Sequence, residues 1–202
     1  ISFPAHSRGT YGLLASPATT TLLNSPRAAE SVTNSTFLVA AYEAGCVLEF
    51  TNCGAFVGVF AEVEKPEGLL ILEDLNVVLV SSRDESVVYS FSLSDGINNG
   101  SLTTPIAAVH FPSSAGSPRN LVRSSKHSFL STTWENKVVR SCIPPCSYSP
   151  MVLVDDGPQD IRDVAMVNTG SDGDGDEESE VVADHYIVSY RGSATIYLCP
   201  LF

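Results

Sequence analysis

The chain has 202 residues, of which 44% are hydrophobic and 17% charged, and its 11 Lys and Arg against 23 Asp and Glu give a net charge of −12. Apolar content at this level supports a buried core and excludes a fully disordered chain. No apolar run reaches the ~20 residues that a membrane-spanning helix needs, and the acidic balance makes nucleic acid and anionic membrane surfaces poor partners.

The chain opens Ile1-Ser2-Phe3-Pro4, without Met and without the charged-then-apolar pattern of a signal peptide. A mature product, a fragment or the ordered part of something longer is expected. Tyr11–Ala15 is predicted to form the first strand. A hairpin follows near 37–50, in which Phe37-Leu38-Val39-Ala40-Ala41 leads through a polar turn beginning Tyr42-Glu43 into Val47-Leu48-Glu49-Phe50. Phe56–Phe60 reads as an outer strand. Gly68–Leu72 precedes a second hairpin near 78–91, with its turn beginning Arg83-Asp84. Ile106–Phe111 is assigned to open the third unit, with Ser113–Pro118 as a solvated loop that expands it. The third hairpin lies near 129–142, with Trp134-Glu135 at its turn, and Met151–Val154 reads as another outer strand. Ile161–Val167 precedes the fourth hairpin, near 185–198, whose turn begins Tyr190-Arg191. Between them, 171–184 is an acidic flexible loop insertion. Its seven acids, with no Lys or Arg, account for more than half of the net charge.

The four hairpins align with one another without a gap. In each, an apolar stretch ends in small residues (Ala40-Ala41, Ser81-Ser82, Thr132-Thr133, Val188-Ser189), and one large side chain follows: Tyr42, Arg83, Trp134 or Tyr190. These positions recur 41, 51 and 56 residues apart. β-branched and aromatic residues on both sides of a tight polar turn make a hairpin, and small residues let a strand approach its neighbours closely. Four strands per unit at a period of about 40–45 residues describe a β-propeller. No long 3.6-residue apolar period is present, so few helices are expected.

These hairpins resemble WD40 repeats. Val80–Val87 is similar to the family's strand b, its Asp turn and the start of strand c, and Pro105–Pro112 is similar to strand a with the turn after it. No Trp-Asp dipeptide closes any strand c and no Gly-His pair opens a unit, so the family's hydrogen-bonded tetrad is incomplete. The resemblance implies an all-β fold over 1–202, a β-propeller with about four WD40-like blades. Because the family closes with seven or eight blades, the resemblance makes this part of a larger propeller. The alternative is a closed four-blade ring with residues 1–8 as its closing strand.

Sites of chemistry are few. Asp172-Gly173-Asp174-Gly175-Asp176 begins like a calcium loop, but Glu177 and Ala183 stand where Gly and Glu are required. Cys142 and Cys146 lack the second pair that a zinc site needs. No metal and no cofactor is expected. The five cysteines (Cys46, Cys53, Cys142, Cys146, Cys199) are odd in number and irregularly spaced. That favours a reduced intracellular compartment, cytoplasm or nucleus, with all five thiols free. There is no Gly-x-Ser-x-Gly elbow, His-Glu-x-x-His pair or phosphate-binding loop. His110 reads as a structural histidine in a strand. His185 beside Asp184 is a possible acid–base pair, although neighbours on a strand point to opposite faces.

The resemblance implies a noncatalytic scaffold that binds other proteins within a complex. One large side chain per blade at one end would form a recognition rim of Tyr42, Arg83, Trp134 and Tyr190, with Glu43, Asp84 and Glu135 beside it. Equally, these side chains could simply cover the top of the core. Two rivals remain open. One is a hydrolase using His110, His185 and Asp184 of a central channel; the other is a secreted propeller with two disulfides.

Overall fold

The structure is a computed structural model that describes residues 22–32, 36–97, 102–145, 149–155, 161–167, 185–190 and 193–200; from 156 onward only the side chains of Ile161, Val164 and Ala165 are described. The described residues build four antiparallel sheets in succession along the chain. The first contains β1 (Pro26–Val32), β2 (Thr36–Ala41), β3 (Cys46–Thr51) and β4 (Phe56–Glu62). β5 (Pro66–Leu72), β6 (Val77–Ser82), β7 (Val87–Ser92) and β8 (Ala107–His110) form the second. The third has β9 (Pro118–Ser125), β10 (Ser128–Thr133), β11 (Val138–Cys142) and β12 (Met151–Val154). β13 (Ile161–Val167), β14 (His185–Tyr190) and β15 (Ser193–Pro200) form the fourth. Each sheet is a meander in which every strand pairs with the next in sequence. Among the described residues, helix is confined to a 3-10 turn, Glu73–Leu75, and one short segment, Leu93–Gly96.

The inner edge of each sheet is its first strand. β1 contacts β5, β5 contacts β9 and β9 contacts β13, so the sheets radiate from a shared edge. The middle strands are buried on both faces, which is why β6 and β10 are buried at all six positions. Their side chains alternate between two interfaces, as the period of two requires. Leu38 and Ala40 pack with Val78, Val80 and Phe91 between the first and second sheets. Leu79 and Val88 turn the other way, toward Phe129 and Val139 of the third sheet. Leu130 and Val138 meet Ile161 and Val164 of the fourth. Val39, Ala41, Leu48 and Phe50 form a further cluster on the face of the first sheet turned away from the second. No helix among the described residues is long and apolar enough to cross a membrane.

Two strand expectations change. Ile106–Phe111 does not open the third unit: Ala107–His110 pairs with β7 and is the outermost strand of the second sheet. The third sheet begins at Pro118, and 111–117 is the passage between sheets, with Ala115 and Gly116 buried rather than solvated. A four-residue alternating run fits an inner or an outer edge equally well, and only pairing distinguishes them. Tyr11–Ala15 lies outside the described residues, as does the acidic run 171–184. The inner strand of the first sheet is instead Pro26–Val32, which is largely exposed and lacks an apolar signature. The chemistry of the cysteines changes too. Cys142 is disulfide-bonded, whereas Cys46 and Cys53 are free, so the expectation of five free thiols is overturned. Odd number and spacing carry no information on which cysteines the fold brings within bonding distance.

Candidate functional site

The expected rim is built at the turns that join the second and third strands of each sheet. The backbone N–H of Tyr42 donates to Ser25 O at 3.2 Å, that of Arg83 to Lys65 O at 3.2 Å, and that of Trp134 to Ser117 O at 3.0 Å. Each acceptor directly precedes an inner strand. One hydrogen bond therefore repeats in three sheets and makes Tyr42, Arg83 and Trp134 equivalent. Each turn also needs one residue with a left-handed backbone: Gly45 (φ 67°), Ser86 (φ 53°) and Asn136 (φ 61°). Gly and Asn bear this conformation at the least steric cost. In the fourth sheet Tyr190 itself pairs with Ile161, whereas Pro26, Pro66 and Pro118 pair with Ala41, Ser82 and Thr133. Tyr190 is thus displaced by one residue from the repeat, and its side chain lies outside the described residues.

The three described side chains are in direct contact rather than spaced around a ring. Arg83 donates from Nη1 to the Tyr42 hydroxyl at 2.8 Å. Its guanidinium carbon lies 3.9 Å from the centre of the Trp134 ring. Arg119 lies over the same ring at 4.1 Å and donates to Ile161 O at 3.2 Å. At the other end, Arg27 and Lys65 stand 4.7 and 4.8 Å from the centre of the Tyr42 ring. A ladder of alternating cations and aromatic rings thereby runs from the first sheet to the fourth. Each such contact is worth about 0.5–2 kcal/mol, more as it is desolvated. Tyr42 is buried, and Arg83 and Trp134 are half-buried, so the ladder both ties the sheets together and presents an ordered surface. The Trp134 indole Nε1 is buried without a hydrogen-bond partner.

The acids beside the rim are exposed and differ in what they do. Glu43 accepts from Lys65 Nζ at 2.7 Å, and this bond raises the lysine above its ordinary pKa against the opposing effect of burial. Glu135 Oε2 accepts the Ser117 backbone N–H at 2.7 Å and so fastens its turn to the inter-sheet passage. In the second turn it is Glu85, not Asp84, that accepts from a side chain, the Ser82 hydroxyl at 3.1 Å.

Three residues of the ladder, Arg27, Lys65 and Arg119, are not in the rim expected from the sequence. Arg27 and Arg119 follow Pro26 and Pro118 at the starts of inner strands, with Glu67 after Pro66 between them. Arg27 Nε approaches Glu67 Oε1 at 4.0 Å. The recurring Pro-charged pair, sixteen or seventeen residues before each rim position, was the available signal. It was missed because charged residues do not mark a buried edge.

Of the alternative catalytic set, only the His110 side chain is among the described residues. His110 is exposed and sits on an outermost strand, away from the inner edges. Asp184 and the His185 side chain lie outside the described residues. No group of three or more His, Cys, Asp or Glu able to hold a metal occurs among the described residues. The free Cys46 thiol is pushed up in pKa, first by burial and then by Glu62, which disfavours its thiolate.

Four sheets radiating from contiguous inner strands define a partial β-propeller, and solved structures agree. A protein from Bacteroides uniformis assigned as a 6-phosphogluconolactonase superposes with a TM-score of 0.62 at 10% identity, over 87% of this chain and 50% of its own. The WD40 β-propeller domain of Doa1 superposes with a TM-score of 0.58 at 14% identity, over 87% of this chain and 51% of its own. The chain thus spans about half the length of each. No protein-family profile and no curated protein sequence matches it. At such identities the likeness establishes the fold alone.

Proposed function

We propose that this chain is a WD40-like, noncatalytic scaffold that binds other proteins through the rim of Tyr42, Arg83, Trp134 and Tyr190, flanked by Glu43, Asp84 and Glu135. The observation that carries this reading is the Tyr42–Arg83–Trp134 contact series. Aromatic and arginine side chains, already ordered by one another, lose little freedom when a partner docks, and these types dominate interface energetics. The exposed turn acids supply a polar border. The WD40 domain among the structural neighbours supports the same reading.

The test separates the rim from the fold. Glu43→Lys with Asp84→Lys reverses charge at exposed turns and should cost at most about 1 kcal/mol of stability. Arg83→Gln removes the centre of the ladder. Both variants should lose co-purifying partners tenfold or more in quantitative affinity capture while still unfolding cooperatively. An unchanged partner set in both would refute the rim.

The disulfide at Cys142 favours a second reading, a propeller that works in an oxidising compartment, since structural disulfides persist there. Alkylation of the denatured protein without reductant should label three thiols, and five after reduction. Five labelled thiols without reductant would exclude this reading.

A further inference from the structure

The first sheet has an apolar face turned away from the second. Val39, Ala41, Cys46, Leu48 and Phe50 cluster there, with Phe37 and Val59 packed against them. The register places these side chains on one face: Phe37 pairs with Phe50, Val39 with Leu48 and Ala41 with Cys46. The repeat shows what such a face does. The residues 41 positions after Phe37, Val39, Leu48 and Phe50 are Val78, Val80, Tyr89 and Phe91. Those four are the side chains by which the second sheet packs onto the first. Phe37, Val39, Leu48 and Phe50 are therefore a packing surface, yet no residue of another sheet belongs to their cluster.

The face is nevertheless covered. Ala41 and Leu48 are 0% exposed and Phe50 is 1% exposed. Among the described residues, the cluster draws only Leu22 and Leu23 from outside this sheet and its turns. A fully buried side chain touches about 6–12 other residues, which two half-buried leucines do not supply to the whole face. We propose that residues 1–21 cover this face, with Tyr11, Leu13 and Leu14 as its apolar contacts. Leu22 and Leu23 lie on the face, so the segment that leads into them starts out upon it. That segment holds no Asp, Glu or Lys and a single Arg, Arg8, so burying it desolvates little charge. Covering the face closes that end of the sheet stack, as a capping repeat closes a solenoid, and keeps a second copy from adding there.

Cys46 reports on the cover directly, because its free thiol is buried in this cluster, whereas the free Cys53 thiol is exposed. Maleimide labelling of the native full chain, read at each cysteine by peptide mass spectrometry, measures both. Leu13→Asp combined with Leu14→Asp should speed labelling of Cys46 at least about tenfold and leave that of Cys53 unchanged. Native emission from Trp134, in the third sheet, shows whether the variant is folded. Should it not fold, the unaltered protein supplies the second measurement: nuclear Overhauser contacts should join the methyl groups of Leu13 or Leu14 to those of Leu48. The absence of those contacts would overturn the proposal. So would wild-type protection of Cys46 in a folded variant, or contacts to Leu48 from a second copy in a mixed-label sample.

Discussion

Gly68→Ala is expected to destabilise the protein by about 3 kcal/mol or to prevent folding. A Cβ at this position would lie 2.1 Å from the Arg119 carbonyl oxygen and 3.1 Å from Ser81 Oγ. The first of these is backbone of the adjacent inner strand, so relief requires β5 and β9 to separate. The same point holds a buried relay: Gly68 N–H donates to Ser81 Oγ at 2.7 Å, and the Ser81 hydroxyl donates to Arg119 O at 2.6 Å. Separating the strands would leave those groups buried and unsatisfied. Gly45→Ala is the informative contrast. There the added Cβ meets nothing closer than Val63 O at 3.8 Å, and only the left-handed backbone (φ 67°) opposes it. That substitution should cost about 1–2 kcal/mol. Denaturant midpoints, compared at unchanged m-value, measure both. A Gly68→Ala protein as stable as Gly45→Ala would refute the close approach of the inner strands.

Phe91→Ala is expected to remove about 3–5 kcal/mol. The ring is fully buried between the first and second sheets and meets Phe60 edge-on, with centroids 6.0 Å apart and planes at 67°. Tyr89 lies 6.3 Å away on the same strand. Sheets that touch mainly through side chains cannot readily close over a deleted ring, because each is held in shape by its own hydrogen bonds. Most of the volume should therefore remain as a cavity. Urea unfolding of the purified variant gives the value, and a loss under about 1 kcal/mol would mean that the two sheets do not pack as described.

Both predictions rest on features that the sequence displays unequally. Ser81 was legible as one of the small residues that allow close approach. Its partners, Gly68 and Arg119, are thirteen and thirty-eight residues away, and nothing local joins them. The middle hairpins were legible because β2, β6 and β10 each carry a short apolar stretch that ends in small residues just before a polar turn. Pro26–Val32 was not, since an inner strand at a solvated edge needs no apolar face. Ala107–His110 was recognisable as a strand but not as an outer one, because edge position depends on pairing rather than on side chains. Of the rim, the repeat identified Tyr42, Arg83 and Trp134 as equivalent, whereas their stacking, with Arg27 and Lys65 at one end and Arg119 at the other, depends on distances across sheets.

By itself the sequence determined an all-β chain of four hairpin units, each with a large side chain at its turn. Period-two alternation, β-branched composition and turn chemistry are local properties that act within a few residues. Tertiary structure alone decided which strand lies innermost, that Cys142 is oxidised, and that separate turn residues meet in one cation–aromatic ladder. Those outcomes depend on how sheets tens of residues apart come together, where packing and burial act without regard to distance along the chain.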